Sequence, residues 1–124
     1  LLYGRDVTFH GYTDMEKIWD QVGMLCMPSR YEGLPMAALE AMSRGIPVLA
    51  SEVGDLPYLI EQDKSGWTFP ISELDKFCNA IRDWQSMSPD QRSVMAIHAR
   101  KQVSKNYSEA AIIPQLEQVY CELG

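Results

Sequence analysis

Cysteine and histidine are scarce in this sequence and do not cluster. The chain of 124 residues has three cysteines, at Cys26, Cys78 and Cys121, and two histidines. No Cys-x-x-Cys pair occurs, and the histidines have no ligand-like spacing relative to the cysteines. We therefore predict buried, reduced thiols, no bound metal and no disulfide framework, a pattern typical of a cytoplasmic protein.

Long apolar runs and basic runs are missing as well. No segment approaches the ~20 apolar residues that a membrane-spanning helix needs, and the first residues show no signal-peptide pattern. The 11 Lys and Arg residues are outnumbered by 17 Asp and Glu residues, for a formal net charge of -6. Nucleic-acid binding needs clustered basic residues, so nucleic acid is not an expected partner.

One dinucleotide-binding motif and one nucleophile motif are also absent. No Gly-x-Gly-x-x-Gly follows a predicted strand, which argues against a dinucleotide-dependent dehydrogenase. No nucleophile elbow of the α/β-hydrolase kind occurs. The chemistry must therefore be sought in another pattern.

Strand-like and helix-like segments alternate over residues 7–70, and only helix-like segments follow. The predicted strands are 7–10, 24–27, 46–50 and 67–69; the predicted helices are 13–23, 35–44, 56–61, 72–87, 89–106 and 108–123. The first helix begins with a capping box from Thr13 to Glu16, and the strand at 24–27 reads as buried on both faces. This order predicts one domain, 1–124, with a Rossmann-like open parallel sheet, flanking helices and a helical tail, 72–124.

Two glutamates stand out just after the predicted strand at 24–27. Glu32 lies in a turn rich in Gly and Pro, and Glu40 is the only charged residue between Leu34 and Ser43. An unpaired carboxylate in an apolar run is costly to bury. Either Glu40 pairs with Arg44 at i,i+4 on a solvated helix face, or its partner is a ligand with paired hydroxyl groups, such as a ribose.

The start of the same helix offers an anion site between the two glutamates. The backbone N–H groups of Gly33, Leu34 and Met36 lie next to the helix N-terminus, where the helix dipole favours negative charge. Pro35 has no N–H and contributes no donor. A sugar at Glu32, an anion at these amides and a ribose at Glu40 together form the layout of a nucleotide-sugar site.

At this point the sequence resembles a known family. Residues 7–70 resemble the carboxyl-terminal, donor-binding domain of glycosyltransferase family 4, the retaining enzymes with the GT-B fold. The resemblance is carried by Val-x-Phe-x-Gly-Tyr at 7–12, Pro-Ser-Arg-Tyr-Glu-Gly-Leu-Pro at 28–35 and Leu-Glu-Ala-Met at 39–42. It continues through Gly-Ile-Pro-Val-Leu-Ala-Ser at 45–51, Gly54 and Gly66.

The resemblance implies a role for each matched position. Glu32 becomes the catalytic-site residue that hydrogen-bonds the donor sugar, and Glu40 holds the ribose. The amides of Gly33 and Leu34 support the sugar, that of Met36 supports the diphosphate, and the turn at Tyr12 and Thr13 faces the base. No cofactor and no metal are implied, and the Asp-x-Asp motif of the metal-dependent GT-A enzymes is absent.

The activity implied is hexosyl transfer, with retention, from a nucleotide-sugar donor to a saccharide or lipid-linked acceptor in polysaccharide biosynthesis. The family's basic pair that clamps the diphosphate, and its amino-terminal acceptor domain, belong to segments upstream of Leu1. We therefore expect a truncated donor-binding piece that is inactive alone. The parent is expected in the cytoplasm, at the inner face of a membrane through the missing domain.

Two alternatives remain open. One is a GT-B relative that acts as a sugar phosphorylase or sugar-phosphate synthase. The other is a non-catalytic module with the shape of a nucleotide-sugar domain that serves protein assembly; the intact Glu32 and Glu40 pair speaks against it.

Overall fold

A three-stranded parallel sheet forms the centre of the domain. The computed structural model describes residues 7–33, 35–106, 117–119 and 121–123. The strands are β1 (Leu25–Met27), β2 (Val48–Ser51) and β3 (Gly66–Phe69), in the order β1-β2-β3. In their register Cys26 lies opposite Leu49, and Leu49 lies opposite Trp67. The predicted open parallel α/β sheet is confirmed.

Helices connect the strands and cover both faces of the sheet. They are α1 (Met36–Ser43), α2 (Leu56–Leu59), α3 (Leu74–Ser86) and α4 (Pro89–Asn106). Because side chains alternate along a strand, Val48 and Ala50 belong to a core cluster with α1 and α2, whereas Leu49 packs with α3. Helix α4 contributes to both clusters, through Ala99 and Met95 respectively. Because the three strands are parallel, their carboxyl-terminal ends lie on the same side of the sheet, where ligands bind in folds of this kind.

Local end signals account for the precise limits of several helices. At the end of α1, the N–H of Gly45 donates to the Met42 carbonyl and that of Ile46 to the Ala41 carbonyl, both at 2.9 Å. Gly45 has φ +77°, so this is a Schellman motif, which favours glycine. At the start of α4, Ser88 and Gln91 exchange side chain-to-backbone hydrogen bonds of 2.9 and 3.2 Å, a capping box. The predicted helices 35–44 and 89–106 are confirmed almost to the residue.

The prediction that the strand at 24–27 is buried on both faces is wrong. Strand β1 is an edge of the described sheet, with hydrogen bonds to β2 alone, and Cys26 is exposed. Cys78 and Cys121 are free and exposed too, so the predicted burial of the thiols is also wrong. Full burial on both faces is found instead in β2, because β2 has a strand on either side and a helix layer on either face.

Of the strand predicted at 7–10, only Val7 takes part in a β-bridge. Residues 8–10 have no regular secondary structure, and Phe9 is 79% exposed. A β-rich composition stabilises a strand only where the side chains pack on a neighbouring surface, and residues 7–10 are exposed.

The helix predicted at 13–23 is replaced by two short 3₁₀ helices, Met15–Lys17 and Trp19–Gln21. The Thr13 hydroxyl donates to the His10 carbonyl at 2.7 Å, and Asp14 instead accepts the Glu16 N–H at 3.1 Å. The capping box from Thr13 to Glu16 is therefore absent. Only Trp19 is buried in these turns, and so little packing does not stabilise a longer helix.

The remaining predictions concern the tail. Of the helix predicted at 108–123, residues 117–119 and 121–123 are helical, and the other positions lie outside the described residues. In the parts of the chain that the structure describes, no helix combines the length and the apolar character that a membrane span requires.

Candidate functional site

The candidate site lies where β1 and β2 end. Strand β1 ends at Met27 and strand β2 at Ser51, so the loops that follow them emerge at the same edge of the sheet. The two loops are in direct contact: a Cβ atom on Gly54 would lie 2.5 Å from the Glu32 carbonyl oxygen. Gly54 also has φ +56°. Only glycine fits this position without displacing the backbone of Glu32.

A buried hydroxyl ties the first loop to the sheet. Ser51 is fully buried, and its hydroxyl donates to the carbonyl of Met27 at 3.3 Å and to the carbonyl of Ser29. Because Ser51 is the last residue of the central strand, this contact places the backbone of residues 27–29 relative to the most buried part of the sheet.

The carboxylate of Glu32 is held by the same loop. The Ser29 hydroxyl donates to Glu32 Oε1 at 3.3 Å, and both residues are half-buried. The predicted catalytic residue therefore lies at the carboxyl-terminal edge of the sheet with one oxygen engaged. Sequence reasoning did not find the roles of Ser29, Ser51 and Gly54. Their position at or shortly after the carboxyl-terminal ends of β1 and β2 was the available signal.

Helix α1 begins at Met36, four residues after Glu32 in the chain. The first hydrogen bond of the helix runs from the Leu39 N–H to the Pro35 carbonyl at 3.0 Å, so the N–H groups of Met36, Ala37 and Ala38 have no intrahelical acceptor. Pro35 occupies the N-cap position rather than the first helical position. Of the amides predicted to bind an anion, those of Gly33 and Met36 lie here, and Leu34 lies outside the described residues.

Glu40 lies on the exposed face of α1. Met36, Ala37 and Glu40 are exposed, whereas the opposite face is buried. Side chains three and four residues apart share a face, and the Cα–Cβ bond tilts towards the helix N-terminus. The Glu40 carboxylate therefore shares its face with the first helical residues. Because Glu40 is exposed, the burial cost considered from the sequence does not arise.

The ion pair between Glu40 and Arg44, which the sequence offered as an alternative to a ligand, is not formed. Arg44 Nη2 contacts both carboxylate oxygens of Glu16, at 2.6 and 2.8 Å, and the guanidinium lies 5.9 Å from the Trp19 ring centre. Glu16 is 28 residues from Arg44, and no local pattern indicates the pairing. Within the described residues, Glu40 keeps a carboxylate without an ion-pair partner.

The turn predicted to face a base, at Tyr12 and Thr13, is exposed. In the described part of the chain, no hydrogen bond or ion pair joins this turn to Glu32 or Glu40. Its connection to α1 is indirect, because Glu16 follows the turn closely and pairs with Arg44 at the C-terminal end of the helix.

Other chemistries find little support among residues 7–33 and 35–106. No group of three His, Cys, Asp or Glu side chains is arranged to hold a metal ion there. Cys26 in β1 lies nearest in sequence to the site. Although the residue is exposed, partial burial of its thiol raises the pKa, which disfavours the thiolate needed for a nucleophile.

Comparison with known proteins identifies the family. The model of the family described as glycosyl transferases group 1 matches residues 2–86. The chain belongs to this group 1 glycosyltransferase family. The Salmonella typhimurium colanic acid biosynthesis glycosyltransferase WcaL is 32% identical over 85 residues, which are 68% of this chain and 21% of that protein.

Two further matches extend over more of this glycosyltransferase chain. The Escherichia coli UDP-Gal:alpha-D-GlcNAc-diphosphoundecaprenol alpha-1,3-galactosyltransferase is 22% identical over 111 residues, 89% of this chain and 28% of that enzyme. The structure of sucrose-phosphate synthase from Thermosynechococcus elongatus superposes with a TM-score of 0.83 and 29% identity. That superposition covers 97% of this chain and 31% of the other.

These matches confirm the predicted GT-B type of fold. The chain spans between one fifth and one third of the length of these three proteins.

Proposed function

We propose that this chain is the donor-binding part of a retaining glycosyltransferase of the hexosyltransferase class. The donor is a nucleoside diphosphate sugar, and the acceptor is a saccharide or a lipid-linked saccharide. The observation that carries the proposal is the placement of two carboxylates around the free amides of α1. Glu32 lies in the loop before these amides, and Glu40 lies on the exposed face of the helix they begin.

Each part of a nucleotide sugar has a matching group in this arrangement. The ribose offers two neighbouring hydroxyl donors, and the carboxylate of Glu40 accepts both in charge-assisted hydrogen bonds. The diphosphate is an anion and suits the amide of Met36 at the positive end of the helix dipole, and the amide of Gly33 supports the sugar. Glu32 accepts hydrogen bonds from hydroxyls of the sugar. The turn at Tyr12 and Thr13 contacts the base.

The catalytic role of these groups is to hold the donor and stabilise its leaving group. As the bond between sugar and phosphate breaks, negative charge grows on the diphosphate, where the amides of α1 already point. The departing diphosphate accepts the proton of the acceptor hydroxyl, and the new bond forms on the face that the leaving group vacates. This route retains the configuration and needs no metal ion. The acceptor is held by a further domain of the whole protein.

The relatives support the substrate classes. WcaL is named for colanic acid biosynthesis, which supports a role in polysaccharide biosynthesis. We propose that the reaction takes place in the cytoplasm, at the inner face of a membrane. The galactosyltransferase is named for a UDP-Gal donor and a diphosphoundecaprenol acceptor. The superposition on sucrose-phosphate synthase favours a second candidate, in which the acceptor is a sugar phosphate.

Binding measurements on the chain test donor recognition. We would titrate UDP-glucose, GDP-mannose and ADP-glucose into the chain and into its Glu40→Ala variant, with ligand-observed NMR as the readout. Asp83→Ala is the matched control, because Asp83 is an exposed carboxylate on α3. Binding of one nucleotide sugar that is lost in Glu40→Ala and kept in Asp83→Ala supports the proposal. Equal binding by all three proteins contradicts the ribose role, and no binding across the panel contradicts donor binding by this chain.

A further inference from the structure

We propose that Ser29 is a positioning residue for the Glu32 carboxylate, with Ser51 as its anchor on the sheet. The inference rests on the proposed function in one respect, namely that Glu32 meets the sugar of the donor. It adds a residue that acts through Glu32 rather than on the sugar itself.

The Glu32 side chain is held at one of its two carboxylate oxygens. A glutamate has several rotatable bonds, and fixing them for binding costs conformational entropy. The Ser29 hydroxyl donates to Oε1 at 3.3 Å. Within residues 7–33 and 35–106, no Lys, Arg or His forms an ion pair with Glu32. The serine therefore fixes one carboxylate oxygen and leaves the other lone pairs for hydroxyl groups of a ligand.

Ser29 is in turn held in place through its backbone. Its carbonyl accepts a hydrogen bond from the Ser51 hydroxyl, which also bonds the Met27 carbonyl at 3.3 Å. Ser51 is fully buried at the end of the central strand. The loop that carries Ser29 is thereby attached to the fully buried central strand, and the contacts run from Ser51 through Ser29 to the carboxylate.

The backbone of Glu32 lies close to the loop that follows β2. Its carbonyl oxygen faces Gly54, where even a methyl group would approach to 2.5 Å. The loop after β2 thus limits movement of the Glu32 backbone, while Ser29 limits movement of its side chain. Together the two contacts direct the carboxylate to one place at the sheet edge before a donor arrives.

The experiment compares Ser29→Ala with Ser29→Thr in the full chain. Affinities for UDP-glucose, GDP-mannose and ADP-glucose are measured beside those for UDP, GDP and ADP. We expect Ser29→Ala to lower the affinity for the nucleotide sugar by roughly tenfold, the loss typical of a hydrogen bond to a charged group. The affinity for the matching nucleoside diphosphate should stay the same. Ser29→Thr keeps the hydroxyl and should restore the sugar-dependent affinity.

The matched control is Ser86→Ala, which removes a helix hydroxyl that bonds the Arg82 carbonyl on α3 and should change neither affinity. Equal losses for the sugar nucleotide and the bare nucleotide in Ser29→Ala would overturn the positioning role, because they would show a general effect on the loop. Failure of Ser29→Thr to restore binding would overturn it as well.

A measurement without ligand separates this inference from the proposed function. The ¹³C relaxation order parameters of the Glu32 side-chain methylene groups should fall in Ser29→Ala and stay at the wild-type value in Ser29→Thr. If the wild-type chain binds none of the nucleotides, the proposed function fails, and these order parameters alone decide whether Ser29 orders the Glu32 side chain. Unchanged order parameters in Ser29→Ala would then reject the inference.

Discussion

Arg44 is paired with Glu16 and not with Glu40, although Glu40 lies one helical turn before it. The guanidinium contacts both oxygens of Glu16 at 2.6 and 2.8 Å and lies over the Trp19 ring. An i,i+4 pair on a helix contributes only ~0.3–0.5 kcal/mol. The pairing with Glu16 adds two hydrogen bonds and a cation–π contact. The tertiary partner therefore prevails, and the carboxylate of Glu40 stays available to a ligand.

The Arg44 contact should contribute modestly to stability. The side chains of Arg44 and Glu16 are 35% and 67% exposed, so solvent screens the pair. We expect Glu16→Gln to lower the free energy of unfolding by about 0.5 kcal/mol, and Arg44→Ala by about 1 kcal/mol because the contact with Trp19 is lost too. Urea denaturation of both single variants and the double variant measures the coupling. A coupling energy of zero would show that the ion pair does not contribute.

Substitution of Glu32 should weaken binding of the nucleotide sugar but not of the nucleoside diphosphate alone. Glu32→Ala removes the carboxylate that we propose accepts hydrogen bonds from the sugar hydroxyls, and the amides of α1 remain. We expect the affinity for the sugar nucleotide to fall roughly tenfold or more, with little change for the matching nucleoside diphosphate. Calorimetric titration checks this, with Glu52→Ala in the neighbouring loop as control. Equal losses for both ligands would argue against a contact between Glu32 and the sugar.

A methyl group at Gly54 should disturb both the fold and the site. The residue has φ +56°, and the atom that a Cβ would meet is the backbone oxygen of Glu32 at 2.5 Å. We expect Gly54→Ala to lower the free energy of unfolding by about 1–3 kcal/mol. Gly33→Ala is the stability control, because a Cβ there meets nothing within 4 Å. Thermal unfolding of the two variants with equal midpoints would contradict the steric argument.

Donor binding should not depend on a divalent cation. In the proposed mechanism, main-chain amides and the dipole of α1 balance the charge of the diphosphate, and a chelator does not affect them. We expect equal affinities for the nucleotide sugar in excess EDTA and in excess MgCl₂. Binding that appears only with Mg²⁺ would contradict this prediction and the mechanism proposed above.

The predictions from sequence succeeded where the deciding interactions are local. Helix α1 ends at a glycine whose positive φ completes a Schellman motif, and α4 begins at the reciprocal hydrogen bonds of Ser88 and Gln91. Both signals lie within a few residues of the feature they determine. The prediction at 13–23 failed because Asp14 and Thr13 offer competing local hydrogen bonds, and composition alone does not rank them.

By itself, the sequence determined the alternation of strands and helices, the parallel sheet and the placement of Glu32 and Glu40 around the start of α1. These follow from hydrophobic periodicity, glycine and proline stops and helix-end chemistry. Only the tertiary structure decided that Cys26 lies in an edge strand, that Arg44 pairs with Glu16, that the Ser51 hydroxyl bonds the Ser29 carbonyl and that Gly54 faces the backbone of Glu32. The last three contacts join residues that are distant along the chain, and their partners are chosen by the packing of the sheet and not by spacing in the sequence.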